Sequence, residues 1–144
     1  SIILSAEAAA AFDNLTRSGR DSLLVRQIKN AWPNVFRAAR FIPAVEYLQA
    51  NRLRYLVIQE MHTIMKTVDL YVAPSFGENL LFTNLTGHPC VVVPNGFTEE
   101  GSPVSISFTG RLFDEATLLS VANQYQDATS FHKKPPPLFS GAGE

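Results

Sequence analysis

The chain has 144 residues, a net charge of −1, and 46% hydrophobic against 17% charged residues. That is long enough to bury a real core and too apolar for a disordered chain. The near-zero charge excludes a chain-wide bias toward nucleic acid or membrane.

The average hides an asymmetry. Between Arg17 and Arg54 stand eight Lys/Arg and only two acids, Asp21 and Glu46. Basic residues spread over helices read first as a solvated face, with phosphate contact as the alternative. The single cysteine, Cys90, excludes an intrachain disulfide and leaves the compartment open, the cytoplasm being the default expectation. No apolar run approaches the ~20 residues of a membrane span, and no signal peptide is legible. The chain opens on Ser1 and not Met, which raises the expectation of an upstream part.

In chain order, residues 5 to 19 read as a helix, with Ser5 as its cap, five alanines inside and Gly19 at its end. Residues 21 to 42 read as a second helical region, interrupted near Trp32-Pro33, where Pro33 suits a first turn. From Pro43 to about Thr67 the apolar positions Val45, Leu48, Leu53, Leu56, Val57, Met61, Ile64, Met65 and Val68 recur at helical spacing. At 1.5 Å per residue this helix is roughly 37 Å long. Its apolar stripe is expected to be core.

The next stretch changes character. Asp69–Pro74 reads as a buried strand stopped by proline, residues 75 to 79 as a loop, and Leu80–Gly87 as a short helix. Cys90–Pro94 and Val104–Gly110 read as two further strands able to pair as a hairpin. Residues 113 to 129 read as a last helix, with Asp114 as N-cap and Glu115 in the first turn. A Pro-rich tail follows from residue 131 to 144. The order predicts an α/β fold, with a small mixed sheet covered by helices. It divides into a helical part (1–68), a strand–helix–strand–strand–helix part (69–130) and the tail.

Catalytic constellations are missing from this pattern. His62 falls within the long helix, His88 between Gly87 and Pro89, and His132 in the tail, none at metal-ligand spacing from another ligand type. His88 and Cys90 are two apart in a strand, which alone makes no dyad. There is no GxSxG, P-loop or CxxC. No catalytic residue, metal site or cofactor is expected in this chain.

The motifs nonetheless have an order. Asp69 leads a strand ending at Pro74. Asn84, Gly87 and Pro89 precede a strand ending at Pro94-x-Gly96. Gly101 and Pro103 open a strand ending at Gly110, and Phe113, Glu115, Leu118 and Ala122 mark the last helix. Upstream, Ala50 and Arg54 fall on the long helix. Across about residues 43 to 138 this pattern resembles the C-terminal part of amidase signature enzymes, and the tail resembles that of the amidotransferase A subunits that amidate misacylated tRNA.

The resemblance implies an amide-bond hydrolase acting through a Ser–cis-Ser–Lys triad and an acyl-enzyme. The triad would stand on an N-terminal half, since this chain has no Gly-Gly or Ser-Ser dipeptide and its lysines (29, 66, 133, 134) stand in other contexts. The implied partners are that half of the same enzyme and a small amide substrate, with a homo-oligomer compatible. A membrane is not implied, and nucleic acid enters only under the amidotransferase alternative. Phe76, Gly77, Glu78 and Phe82 are expected on the substrate pocket wall, beyond a strand's C-terminal end; Phe76 and Phe82 could instead seal the core.

Asp69, Pro74, Asn84, Gly87, Pro89, Pro94, Gly96, Gly101, Pro103, Gly110 and Glu115 read as structural. Two departures stand out. Ser105 and Ser107 occupy positions where the family usually has Gly and Gln, and Gly77 falls where amidotransferase A subunits place the acid that holds glutamine's amino group. The second departure favours a different amide substrate. A third reading is a non-enzymatic α/β module that stands alone and binds a partner.

Overall fold

Helix breaks and turn residues divide the first third of the chain more finely than its composition suggests. In the computed structural model, which describes residues 1–139, α1 (Ile2–Ala11) and α2 (Asp13–Arg17) are separated at Phe12, whose φ of −103° and ψ of 22° leave the helical region. Ser5 therefore lies inside α1 and does not cap it. Gly19 ends this stretch, with a left-handed φ of 71°. The expected helical region 21–42 is mostly not helical. Arg20–Leu23 forms one 3₁₀ turn, the chain then runs irregularly, and α3 (Trp32–Ala39) begins with Pro33 in its first turn. The reason is local: Val25 and Ile28 are exposed and have no buried face to offset the entropy of ordering.

The chain divides into two compact units, Ser1–Leu56 and a second beginning at Val57. In the first, α3 packs on α1 and α2. Phe36 is buried and stacks on Phe12 (4.9 Å between centroids) and on Trp32 (5.6 Å). Asp13 bonds Arg17 within its own helix and Arg40 beyond α3, while buried Asp21 pairs with Arg37 at 2.5 Å.

The long helix, α4 (Ala44–Met65), starts one residue after Pro43 as expected. Its apolar stripe is not core in this chain. Only Met65 is buried, while Val45, Leu48, Leu53, Leu56 and Ile64 are each more than half exposed.

The second unit is built on three strands: β1 (Leu70–Pro74), β2 (Cys90–Phe97) and β3 (Pro103–Gly110). β3 lies between the others and is antiparallel to both, with Val72 opposite Phe108 and Phe108 opposite Val91. The α/β class and the small helix-covered sheet are as expected, but the sheet is antiparallel among the described residues and not mixed. The physical reason is the β2–β3 hairpin, which inserts β3 between β1 and β2 and so separates the two parallel strands. The register shifts between Pro94 and Phe97, so β2 continues past the expected stop at Pro94.

Helix α6 (Glu115–Thr129) covers one sheet face. Its Leu118 and Ala122 pack with Val93 and Phe108, flanked by Leu70, Val91, Ile106, Val121 and Tyr125. The other face is polar at its centre: Ser107 and Thr109 are buried there, and Ser107 bonds Ser75 at 3.1 Å. Helix α5 (Glu78–Thr86) connects β1 to β2 and ends at Gly87, whose φ is 78°. The expected Pro-rich tail is described through residue 139 as two 3₁₀ turns; its last five positions lie outside the described residues.

Candidate functional site

The loop after β1 and the first turns of α5 hold the four residues expected on a pocket wall. Phe76 is 84% exposed, Glu78 is the exposed first residue of α5, and Phe82 follows it by one turn, 46% exposed. Neither phenylalanine seals a core here. Gly77 has φ 150° and ψ −172°, a backbone conformation that side-chain-bearing residues rarely adopt. An acid at this position would be strained whatever the surrounding space. Asn79 Nδ2 donates to the Pro74 carbonyl at 3.2 Å and closes the loop on the end of β1.

Most of the structural-motif residues sit at turns and element ends; Asn84 and Pro94 lie inside α5 and β2. Pro74 closes β1 opposite Ile106, and Pro103 opens β3 opposite Phe97. The Pro89 carbonyl accepts the Gly110 N–H at 3.0 Å, and a Cβ at Gly110 would come within 3.4 Å of the Leu118 Cβ. Pro94 pairs with Ser105 in the sheet, Gly96 has φ 90° beside the Phe131 ring, and Gly101 turns the β2–β3 loop. Asn84 is exposed on α5, and Glu115 opens α6. Asp114 stands at the N-cap position, where its Oδ1 accepts from the Thr117 hydroxyl at 2.7 Å.

Arg111, which the residue pattern did not single out, ties this corner together. Its Nε donates to the carbonyls of Met65 (3.1 Å) and Val68 (2.9 Å), and its Nη2 pairs with Asp69 at 2.9 Å. Asp69 thus leads β1 and also holds the guanidinium that caps the end of α4. A lone arginine after a strand glycine carries no sequence signal for this role; its partners lie more than 40 residues away.

Beside Arg111 lies a cavity of about 490 Å³ lined by His62, Met65, Lys66, His88, Arg111, Leu112 and Phe113. His88 is buried, and its Nδ1 lies 2.8 Å from the Thr86 hydroxyl. That hydroxyl gives its one proton to the Phe82 carbonyl at 2.8 Å. It must therefore accept from His88, which puts the ring proton on Nδ1 and leaves Nε2 with a lone pair. Burial, with His62 adding charge repulsion, holds the His88 pKa below its usual 6.5.

Cys90 is exposed at the start of β2, two residues beyond His88. Among the described residues no group of three or more His, Cys, Asp or Glu could hold a metal ion, and no helix is long and apolar enough to cross a membrane.

The structure superposes on an amidase family protein from Bacillus anthracis str. Ames with a TM-score of 0.65, 24% identity, and coverage of 87% of this chain and 25% of that one. The fold is therefore that of part of an amidase.

Sequence relatives narrow this. The chain is 36% identical over 111 residues to the A subunit of the Bordetella avium glutamyl-tRNA(Gln) amidotransferase, covering 62% of this chain and 22% of that protein. It is 37% identical over 111 residues to the counterpart from Methanosarcina acetivorans, covering 63% and 23%. No family model matches the chain. The homologues are thus amidotransferase A subunits of the amidase signature family, matched over part of their length. The chain spans less than a quarter of the curated relatives it matches, and these matches support a C-terminal amidase-signature portion.

Proposed function

We propose that this chain works as the C-terminal portion of an amide-bond hydrolase, with a Ser–cis-Ser–Lys triad supplied by residues outside it. The observation that carries this reading is the 36% identity over 111 residues to amidotransferase A subunits. In the reaction, a lysine acting through the cis-serine takes the proton of the nucleophilic serine. The serine attacks the amide carbonyl, backbone N–H groups hold the oxyanion, ammonia or an amine leaves, and water releases the acid. The chain contributes sheet strands behind that site and, with Phe76, Gly77, Glu78 and Phe82, a wall of the substrate pocket.

The N-terminal half of the same enzyme is the natural partner. Supporting this, α4 carries Leu48, Leu53, Leu56 and Ile64 more than half exposed, apolar surface that a folded enzyme covers. The names of the relatives favour a second reading, that of a glutamine-using amidotransferase. Gly77 counts against it, because the strained backbone there excludes the acid expected to hold glutamine's amino group.

The test is an amide-hydrolysis assay of the purified chain, beside the intact mass of the protein as its source makes it. The expected result is no turnover by the chain and a native polypeptide about three and a half times its length, the scale set by the relatives. Turnover that survives Lys29→Ala, Lys66→Ala and Cys90→Ala would overturn the reading. Glutaminase activity in the longer protein would select the amidotransferase form.

A further inference from the structure

The cavity beside His88 plays no part in the reaction described above. All its lining residues belong to the unit that begins at Val57. At about 490 Å³ it falls within the range of small-molecule sites. Its charge is unbalanced. The Arg111 guanidinium is matched by Asp69 and by two carbonyls, but Lys66, exposed at the rim, has no acidic partner among the described residues. An unmatched ammonium beside a partly enclosed cavity favours an anion.

The rest of the lining is apolar. Met65 is buried, while Leu112 and Phe113 are exposed, Phe113 by 92%. Phe113 has φ 64°, a left-handed conformation that is an outlier for a bulky residue and that here accompanies a ring exposed to solvent. Such a ring offers an uncovered face to a flat apolar body. Finally, His88 has its Nδ1 proton committed to Thr86, so the neutral ring offers Nε2 only as an acceptor. That suits an N–H or O–H on the ligand.

We propose that this cavity binds a small aryl carboxylate carrying a ring amine or hydroxyl, its carboxylate on Lys66, its ring against Leu112 and Phe113, and its donor toward His88. Lys66 attracts the charge, the two apolar side chains cover the body, and the fixed histidine tautomer selects a donor over a bare ring.

The experiment is an NMR titration of the isotopically labelled 144-residue chain, at a concentration where sedimentation shows a monomer, with 4-aminobenzoate, using 4-aminobenzamide as the neutral control. The expected result is saturable shifts at Lys66, His88, Leu112 and Phe113 with the carboxylate, and at least about tenfold weaker binding of the amide, the size of one modest charge-assisted contact. Lys66→Met, which keeps the stem, should bring carboxylate affinity down to that of the amide. Phe113→Gly, which also relieves the left-handed backbone, should weaken both probes alike. Equal binding of the two probes, no shifts at these residues, or unchanged carboxylate affinity in Lys66→Met would overturn the assignment.

Discussion

His88 donates its Nδ1 proton to the Thr86 hydroxyl across 2.8 Å, because that hydroxyl's own proton is already given to Phe82. The pair sets which nitrogen of the buried ring carries the proton when the ring is neutral. Burial first, and His62 second, lower its pKa below 6.5. The unfolded chain then binds the proton more readily than the folded one. Stability from this residue is full above about pH 6.5 and is lost as pH falls through the lower folded value. Urea denaturation at pH 7.5 and pH 5 should show this loss, and His88→Gln should reduce it. A folded-state His88 titrating above 6.5 by NMR would contradict the arrangement.

Arg111 acts as a fork. It satisfies two carbonyls after α4 and pairs with Asp69, geometry that an ammonium cannot reproduce. Arg111→Lys is therefore expected to cost about 1–2 kcal/mol, the scale of charge-assisted hydrogen bonds at a partly exposed site. Chemical denaturation measures it. A cost indistinguishable from zero would mean the carbonyls are equally well served by water.

Leu118 is 1% exposed and sits at the centre of the α6–sheet contact. Leu118→Ala should destabilise the protein by about 2–5 kcal/mol, the transfer loss plus the cavity left behind. Leu119, its neighbour on the helix, is 58% exposed, and Leu119→Ala should cost under about 1 kcal/mol. Thermal melts of the two variants side by side test the facing of α6.

The apolar residues of α4 should make the isolated chain self-associate. Leu53, Leu56 and Ile64 are 63%, 57% and 58% exposed. Sedimentation is expected to show a mass rising with concentration, and the triple substitution to lysine should restore a monomer without lowering the melting temperature. A wild-type chain that stays monomeric at high concentration would favour the stand-alone module instead.

Local chemistry carried much of the fold. Pro33 in the first turn of α3, Pro43 before α4 and Gly87 after α5 each act through their own backbone preferences, so their elements stand close to where the residues placed them. Alternation and β-branching likewise placed the three strands. The first helix was overextended, since the break at Phe12 carries no Gly or Pro signal, and residues 24 to 30 are all exposed, with no buried side chain to hold them helical.

The ordered motifs from Asp69 to Ala122 were determined by sequence alone, and with them the likeness to part of an amidase, because turn and cap residues keep fixed spacing along the chain. Tertiary structure decided what depends on distant segments meeting. It put β3 between β1 and β2, joined Arg111 to carbonyls more than 40 residues earlier, gathered His62, Lys66 and His88 around one cavity, and left the stripe of α4 uncovered. A periodic apolar stripe says that a surface should be buried. Only the packing of whole elements says what buries it.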